Sequence, residues 1–268
     1  MPRMIDTARG PFELVDEGAG PPVVLLHGFP LHAASFVDDA RALAGDMRVL
    51  LPSMRGFGAS PLGDASSVTI EAMADDVAAI LDACGLDGPV VIGGLSMGGY
   101  VAMAFARRHA RRVRGLVLAD TRAEPDSEEA RANRDVGIAK VAGGGLVAFV
   151  DGLLPKMLGA TTQRERPEVV ARVRAMATSA SPDAVVATLR ALRDRPDARP
   201  GLAGVAAPTL IVVGAEDALT PPAVADALTG AIPNARVSVI PAAGHMANLE
   251  NPEPFRHAVR AFVRDVTG

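Results

Sequence analysis

Pro89-Val90-Val91-Ile92-Gly93-Gly94-Leu95-Ser96-Met97-Gly98-Gly99-Tyr100 is the stretch that decides the fold. The apolar run at its start reads as a strand buried on both faces, and Tyr100 to His109 reads as a helix. Between them lies Gly94-Leu95-Ser96-Met97-Gly98, a Gly-x-Ser-x-Gly sequence at a strand-to-helix turn. So sharp a turn lifts the Ser96 hydroxyl clear of the sheet, and the flanking glycines remove Cβ atoms that would collide in it. The helix that follows aims backbone N–H groups at the same point, where an oxyanion would sit.

A serine nucleophile needs a base, and the base needs an orienting acid. Pro208-Thr209-Leu210-Ile211-Val212-Val213-Gly214 reads as a buried strand and leads into Ala215-Glu216-Asp217. Ala235-Arg236-Val237-Ser238-Val239-Ile240 reads as another and leads into Pro241-Ala242-Ala243-Gly244-His245. Asp217 and His245 therefore each follow the carboxyl end of a strand, where open α/β sheets place their chemistry. In this serine–acid–histidine order the chain resembles the α/β-hydrolase fold family from Pro22 to its C-terminal helix, most weakly between Arg122 and Ala207. The resemblance implies a catalytic triad of Ser96, Asp217 and His245. Gly214 to Asp217 has the family's Gly-x-x-Asp spacing, with Glu216 and Asp120 as the competing carboxylates. Gly244 to Pro252 has its Gly-His-x-x-x-x-Glu-x-Pro pattern. The family's oxyanion hole maps onto the backbone N–H groups of Phe29, in His27-Gly28-Phe29-Pro30, and of Met97. His27 itself is expected to be a buried packing or hydrogen-bonding residue, and His109, at a helix end, a surface one.

The loop from Pro52 to Ser60 carries a second resemblance, through Arg55, Gly56, Gly58 and Ser60, with Ser53 where many relatives have aspartate. Arg55 is expected to pin this loop, and the loss of one carboxylate to weaken a local contact without touching the triad.

The rest of the chain reads as strands alternating with helices: strands over Phe12–Asp16 (an edge), Pro22–Leu26, Met47–Leu51 and Arg114–Ala119, and helices over Ser35–Ala44 and from a Thr69 cap to about Cys84. This predicts an α/β fold with a mostly parallel central sheet and helices on both faces. From Arg122 to Ala207 the patterns are helical with no convincing strand. The expected organisation is thus a first core part over 1–121, an all-helical cap over 122–207 and a second core part over 208–268.

A chain of 268 residues, 49% of them hydrophobic, can bury a large core. No apolar run reaches membrane-spanning length, and the N-terminus lacks a signal-peptide core, so no membrane partner is expected. The single cysteine, Cys84, has no internal partner, which suggests a cytoplasmic protein. A net charge of −4 argues against nucleic acid. Nothing in the sequence fixes an oligomeric state, and no cofactor or metal is implied. A dinucleotide fingerprint over the same glycines is rejected because Ser96 stands where pyrophosphate needs glycine, and a phosphate-binding P-loop because no lysine follows.

Within the family, dehalogenases and epoxide hydrolases use an aspartate nucleophile where this chain has Ser96. The expected activity is hydrolysis of carboxylic esters of small, mainly apolar substrates, with lactonase or cofactor-free perhydrolase as alternatives, and a triad-bearing small-ligand receptor as the alternative of another class. The Gly-Leu-Ser-Met-Gly-Gly turn resembles that of enol-lactone hydrolases and small esterases. Candidate substrate contacts, besides Phe29 and Met97, are His32, Leu153, Leu154, Met157 and Leu158. Acids and bases are nearly balanced across the cap, so no focusing field is expected. Arg122 is expected in a structural salt bridge, with a substrate carboxylate as its other option.

Overall fold

The computed structural model describes residues 1–268. Eight strands form one sheet: β1 (Arg3–Thr7), β2 (Gly10–Glu17), β3 (Pro22–Leu26), β4 (Arg48–Pro52), β5 (Val90–Leu95), β6 (Val113–Ala119), β7 (Thr209–Gly214) and β8 (Ala235–Ile240). Their spatial order is β1-β2-β4-β3-β5-β6-β7-β8; β2 pairs antiparallel with both β1 and β4, and every other pair is parallel. The central strands β5 and β7 are buried at every position, as strands covered by helices on both faces must be.

Helix α1 (Val37–Leu43) lies against β4, and α2 (Ile70–Ala83) and α3 (Met97–Arg108) pack on each other. Between β6 and β7 run α4 (Glu128–Ala142), α5 (Leu146–Met157), α6 (Ala160–Glu165), α7 (Pro167–Thr178), α8 (Pro182–Arg193) and the single turn α9 (Arg199–Leu202). The chain closes with α10 (Pro222–Ala231), the short α11 (Ala247–Glu250) and α12 (Pro252–Thr267). Helices α1 and α12 touch each other over one face of the sheet, and α2 and α3 cover the other. Thr69 caps α2 by accepting from the Ala72 N–H, as its position ahead of an apolar stripe predicts. No helix is long and apolar enough to cross a membrane.

Two expectations need correction. Phe12–Asp16 is not an edge: β1 lies outside it, paired from Arg3↔Leu14 to Thr7↔Gly10. In β1 only Ile5 is buried, so the strand has almost no apolar signal of its own; a hairpin at Gly10 (φ +109°) places it. The helix expected from Ser35 begins at Val37, after a separate 3-10 turn over Ala33–Ser35 capped by His32.

The parallel register sets the position of the site. Leu95 pairs with Ala119, Ala119 with Val212, and Gly214 with Ile240. The segments after β5, β6, β7 and β8 therefore leave the sheet at one rim.

Candidate active site

Ser96 has φ 54° and ψ −111°, a backbone conformation that costs a non-glycine residue roughly 1–3 kcal/mol. It is held there from all sides: its N–H donates to Ala119 O at 2.9 Å, and its carbonyl accepts from Gly99 N (2.9 Å), Tyr100 N (3.2 Å) and Thr121 Oγ1 (2.8 Å). The glycines of the turn are there for close approach. A Cβ on Gly94 would lie 2.0 Å from the Gly98 backbone, and one on Gly98 would lie 2.2 Å from Leu26 O. Either substitution forces β5, α3 and β3 apart.

The three residues that are far apart in sequence meet at this rim. His245 Nε2 lies 2.8 Å from Ser96 Oγ, and His245 Nδ1 lies 2.8 Å from Asp217 Oδ2. With the Asp217 carboxylate accepting from Nδ1–H, the lone pair is on Nε2, facing the serine hydroxyl. Asp217 also accepts from the N–H groups of Leu219 (2.8 Å) and Thr220 (2.9 Å), and from Thr220 Oγ1. Burial alone would raise its pKa, but the hydrogen bond and charge of His245 and the two bonds from Thr220 outweigh burial and hold it at about 2. Thr220 is the residue that sequence reading missed. Its hydroxyl lies 3.2 Å from His245 Nδ1 as well, so it spans Asp217 and His245. The signal was a threonine three residues after the aspartate, where an Asx-type turn satisfies the carboxylate locally.

The rival carboxylates face elsewhere. Asp120, 1% exposed, accepts from Gly214 N (2.8 Å) and Ala247 N (3.3 Å) and so ties β6 to the loops carrying Asp217 and His245. Burial raises its pKa well above the usual carboxylate value, and the Asp217 charge adds to that, against its two hydrogen bonds. Glu216 accepts from Thr161 N and Thr161 Oγ1 at the start of α6.

The backbone N–H groups of Phe29 and Met97 have no acceptor within the protein. Met97 is the first residue of α3, whose opening N–H groups lack intrahelical partners, and both residues line the cavity that contains Ser96 and His245. His27, fully buried, sets the loop that presents Phe29: its Nε2 accepts from Met54 N (2.9 Å), and its Nδ1 lies 3.1 Å from Gly28 O. Burial lowers its pKa to about 4, so the ring is neutral. Arg55 pins the neighbouring loop through two bonds to Asp76 (2.7 and 2.5 Å). Ser53 recruits a carboxylate rather than lacking one, donating to Glu13 Oε2 at 2.6 Å.

The cavity over Ser96 has a volume of about 500 Å³. Phe29, Met97, Leu153 and Met157 line it; Leu154 and Leu158 do not, and pack in the core at 7% and 4% exposure. Helical geometry gives the reason. Phe149, Leu153 and Met157 recur every four residues on one face of α5, whereas Leu146, Val150 and Leu154 occupy the adjacent face that packs inward. His32 does not line the cavity; its Nδ1 accepts from Ala34 N at the 3-10 turn. Arg122 forms no salt bridge; one terminal nitrogen donates to Leu219 O, and its side chain lines the cavity. A second cavity of about 250 Å³ shares Tyr100, Arg122 and Arg195 with the first but is lined by none of Ser96, Asp217 and His245.

Residues 21–252 match the α/β hydrolase fold family. An esterase from Thermogutta terrifontis has a closely similar structure, with a TM-score of 0.94 and 40% identity over 100% of both chains. The enol-lactonase from Burkholderia xenovorans superposes with a TM-score of 0.90 at 27% identity, covering 98% of this chain and 100% of that one. Haloalkane dehalogenase 2 of Mycobacterium tuberculosis is 30% identical over 96% of this chain and 93% of its own.

Proposed function

The chain belongs to the α/β-hydrolase fold family, and within it we propose that it is a serine hydrolase that cleaves carboxylic esters of small, mainly apolar substrates through an acyl-enzyme on Ser96. The observation that carries this reading is the continuous chain of contacts from Ser96 Oγ to His245 Nε2 and from His245 Nδ1 to Asp217, 2.8 Å at each link. In this mechanism Nε2 takes the hydroxyl proton as Oγ attacks the ester carbonyl. The Asp217 carboxylate fixes the imidazole tautomer and stabilises the imidazolium. The free N–H groups of Phe29 and Met97 hold the tetrahedral oxyanion. The C–O bond to the alcohol then breaks, and the alkoxide takes the proton from Nε2. A water, deprotonated by the same nitrogen, attacks the acyl carbonyl and returns Ser96 Oγ with its proton.

The likeness to a dehalogenase does not carry over to this site. A carboxylate that displaces halide forms an ester, which water can cleave at its carbonyl. Ser96 displacing halide would form an alkyl ether with no carbonyl to attack, and the enzyme would be spent. The similarity to an enol-lactonase supports lactones as a second substrate class, since ring opening uses the same steps with the leaving alcohol tethered. The cytoplasmic setting inferred from the lone cysteine is part of the proposal.

Hydrolysis of p-nitrophenyl acetate and butyrate by wild type and Ser96→Ala tests it. Turnover by wild type and a fall in kcat on the order of 10⁴-fold or more in the variant are expected. Equal turnover by the two proteins overturns the assignment.

A further inference from the structure

The charged side chains that α4 and α5 turn toward the active-site cavity are all cationic. On α4, Ala130, Asn133, Arg134, Gly137 and Lys140 line the active-site cavity at helical spacing, while Glu128, Glu129 and Asp135 do not. On α5, Lys156 lines it beside Leu153 and Met157, whereas Asp151 pairs with Arg174 elsewhere, Arg174 Nε to Asp151 Oδ1 at 2.6 Å. Both lysines of the chain, Lys140 and Lys156, face this one cavity. In all, five cationic side chains line it (Arg122, Arg134, Lys140, Lys156 and Arg195) against a single carboxylate, Asp126. Asp126 is already bound to two of them, to Arg134 Nε at 3.0 Å and Arg195 at 2.5 Å. No carboxylate lies within 4.0 Å of Arg122, Lys140 or Lys156. The near balance of acids and bases in this segment is therefore a poor guide to the field at the site, because the side chains that line the cavity are not a balanced sample of the segment.

Arg122 is the cation most closely tied to the chemistry. It follows Thr121, whose hydroxyl donates to Ser96 O at 2.8 Å, and its one bond, to Leu219 O, joins it to the turn whose N–H groups hold Asp217. A guanidinium has five N–H donors, and this one is half-buried with the others unpartnered in the protein. Resting on the serine-hydrolase reading, we propose that the cavity is a carboxylate subsite: the preferred substrates are esters bearing a second, ionised carboxylate, anchored by Arg122 and drawn in by Lys140 and Lys156. The apolar wall of Phe149, Leu153 and Met157 takes the carbon chain between the ester and the acid. The carboxylate sits on either the acyl or the alcohol side of the ester bond, and the experiment separates the two.

Monomethyl adipate carries the carboxylate on the acyl side and 4-acetoxybutanoate on the alcohol side; dimethyl adipate and methyl 4-acetoxybutanoate are their neutral counterparts. For wild type at pH 8, kcat/KM for at least one anionic ester exceeds that of its neutral counterpart by about tenfold, mainly through KM, and the advantage shrinks in about 0.5 M NaCl. Arg122→Gln lowers that anionic-to-neutral ratio by roughly tenfold, and the double variant Lys140→Gln/Lys156→Gln lowers it several-fold. The ratio is read within each protein, so a general loss of activity does not move it. Calorimetric binding of the preferred anionic ester to Ser96→Ala protein, weakened when Arg122→Gln is added, gives a readout free of turnover. No anionic preference in wild type on either side, or a preference untouched by both variants, overturns the subsite while an inactive Ser96→Ala leaves the hydrolase reading standing. Full activity of Ser96→Ala on all four esters removes both.

Discussion

The rim of the sheet and the helices above it are built on different logic. At the rim, each polar side chain of the candidate site follows a strand whose neighbours fix it in place: Ser96 after β5, Asp217 after β7 and His245 after β8, with Asp120 after β6 tying the later loops together. Over it, α5 packs through one of two adjacent apolar faces and α4 through a thin one, and the groups they offer to the cavity come from whichever stripe faces down. On the proposed reading, the rim sets which bond is broken and the helices set which molecule is presented. Substitutions at the two levels should differ in kind as well as in size.

The largest contrast is between Ser96→Ala and Leu153→Ala with the same p-nitrophenyl ester. The first is expected to lower kcat/KM on the order of 10⁴-fold or more, whereas the second should change it by roughly 10–200-fold at most, as lost pocket contacts do. The second effect should also depend on acyl-chain length. A Leu153 variant as dead as the serine variant would erase the distinction.

Next come the two buried aspartates. Asp217→Asn leaves His245 without its carboxylate and favours the wrong tautomer, so kcat falls by about 10⁴-fold at neutral pH. Asp120→Asn keeps the triad contact and disturbs only the ties to Gly214 and Ala247. It should cost about 1–3 kcal/mol of stability, measured by urea unfolding, with a far smaller loss of kcat. The reverse ranking would make Asp120 the working acid.

The rim was far more legible in the sequence than the helices over it. Gly-x-Ser-x-Gly, Gly-x-x-Asp and Gly-His-x-x-x-x-Glu each mark a turn where backbone geometry allows few residue types. Even Glu250 of the last motif has a local reason: its carboxylate accepts from Met246 N at 3.0 Å and from Gly159 N at 2.8 Å, joining the histidine loop to the start of α6. The helical segment offered no such restriction. On α5, Leu153 and Leu154 are chemically identical, and only the docking angle of the helix sends one to the cavity and the other to the core. In α4 only Gly137 and Val141 are buried, so its apolar stripe is too thin to reveal which charges face down. β1 escaped notice for a similar reason, having one buried residue, Ile5.

A smaller effect sharpens the account of the oxyanion loop. Burial holds His27 neutral down to about pH 4, against 6.5 for an ordinary histidine. The unfolded chain takes up that proton first, so this residue's contribution to stability is complete above about pH 6.5 and is lost as pH falls toward 4. Asp39 works in the opposite direction. Burial raises its carboxyl from 3.8 to about 6 against hydrogen bonds from Asn248 and Arg256, so its contribution is complete below about 3.8 and is lost as pH rises through 6. The two oppose each other in one window. His27→Gln removes one of them, and its stability should fall less than that of wild type between about pH 7 and pH 4, by up to about 3 kcal/mol. Parallel pH profiles for the two proteins would mean that His27 is not held neutral.

The most direct test of the central claim is to trap the intermediate. Wild-type protein mixed with p-nitrophenyl butyrate and quenched in acid within the first turnover should carry one butyryl group, located by peptide mass spectrometry on the fragment containing Ser96. The group should be absent from Ser96→Ala protein treated in the same way. A butyryl group on any other side chain, or steady hydrolysis with an equally active Ser96→Ala protein and no acylated Ser96, would contradict nucleophilic attack by Ser96.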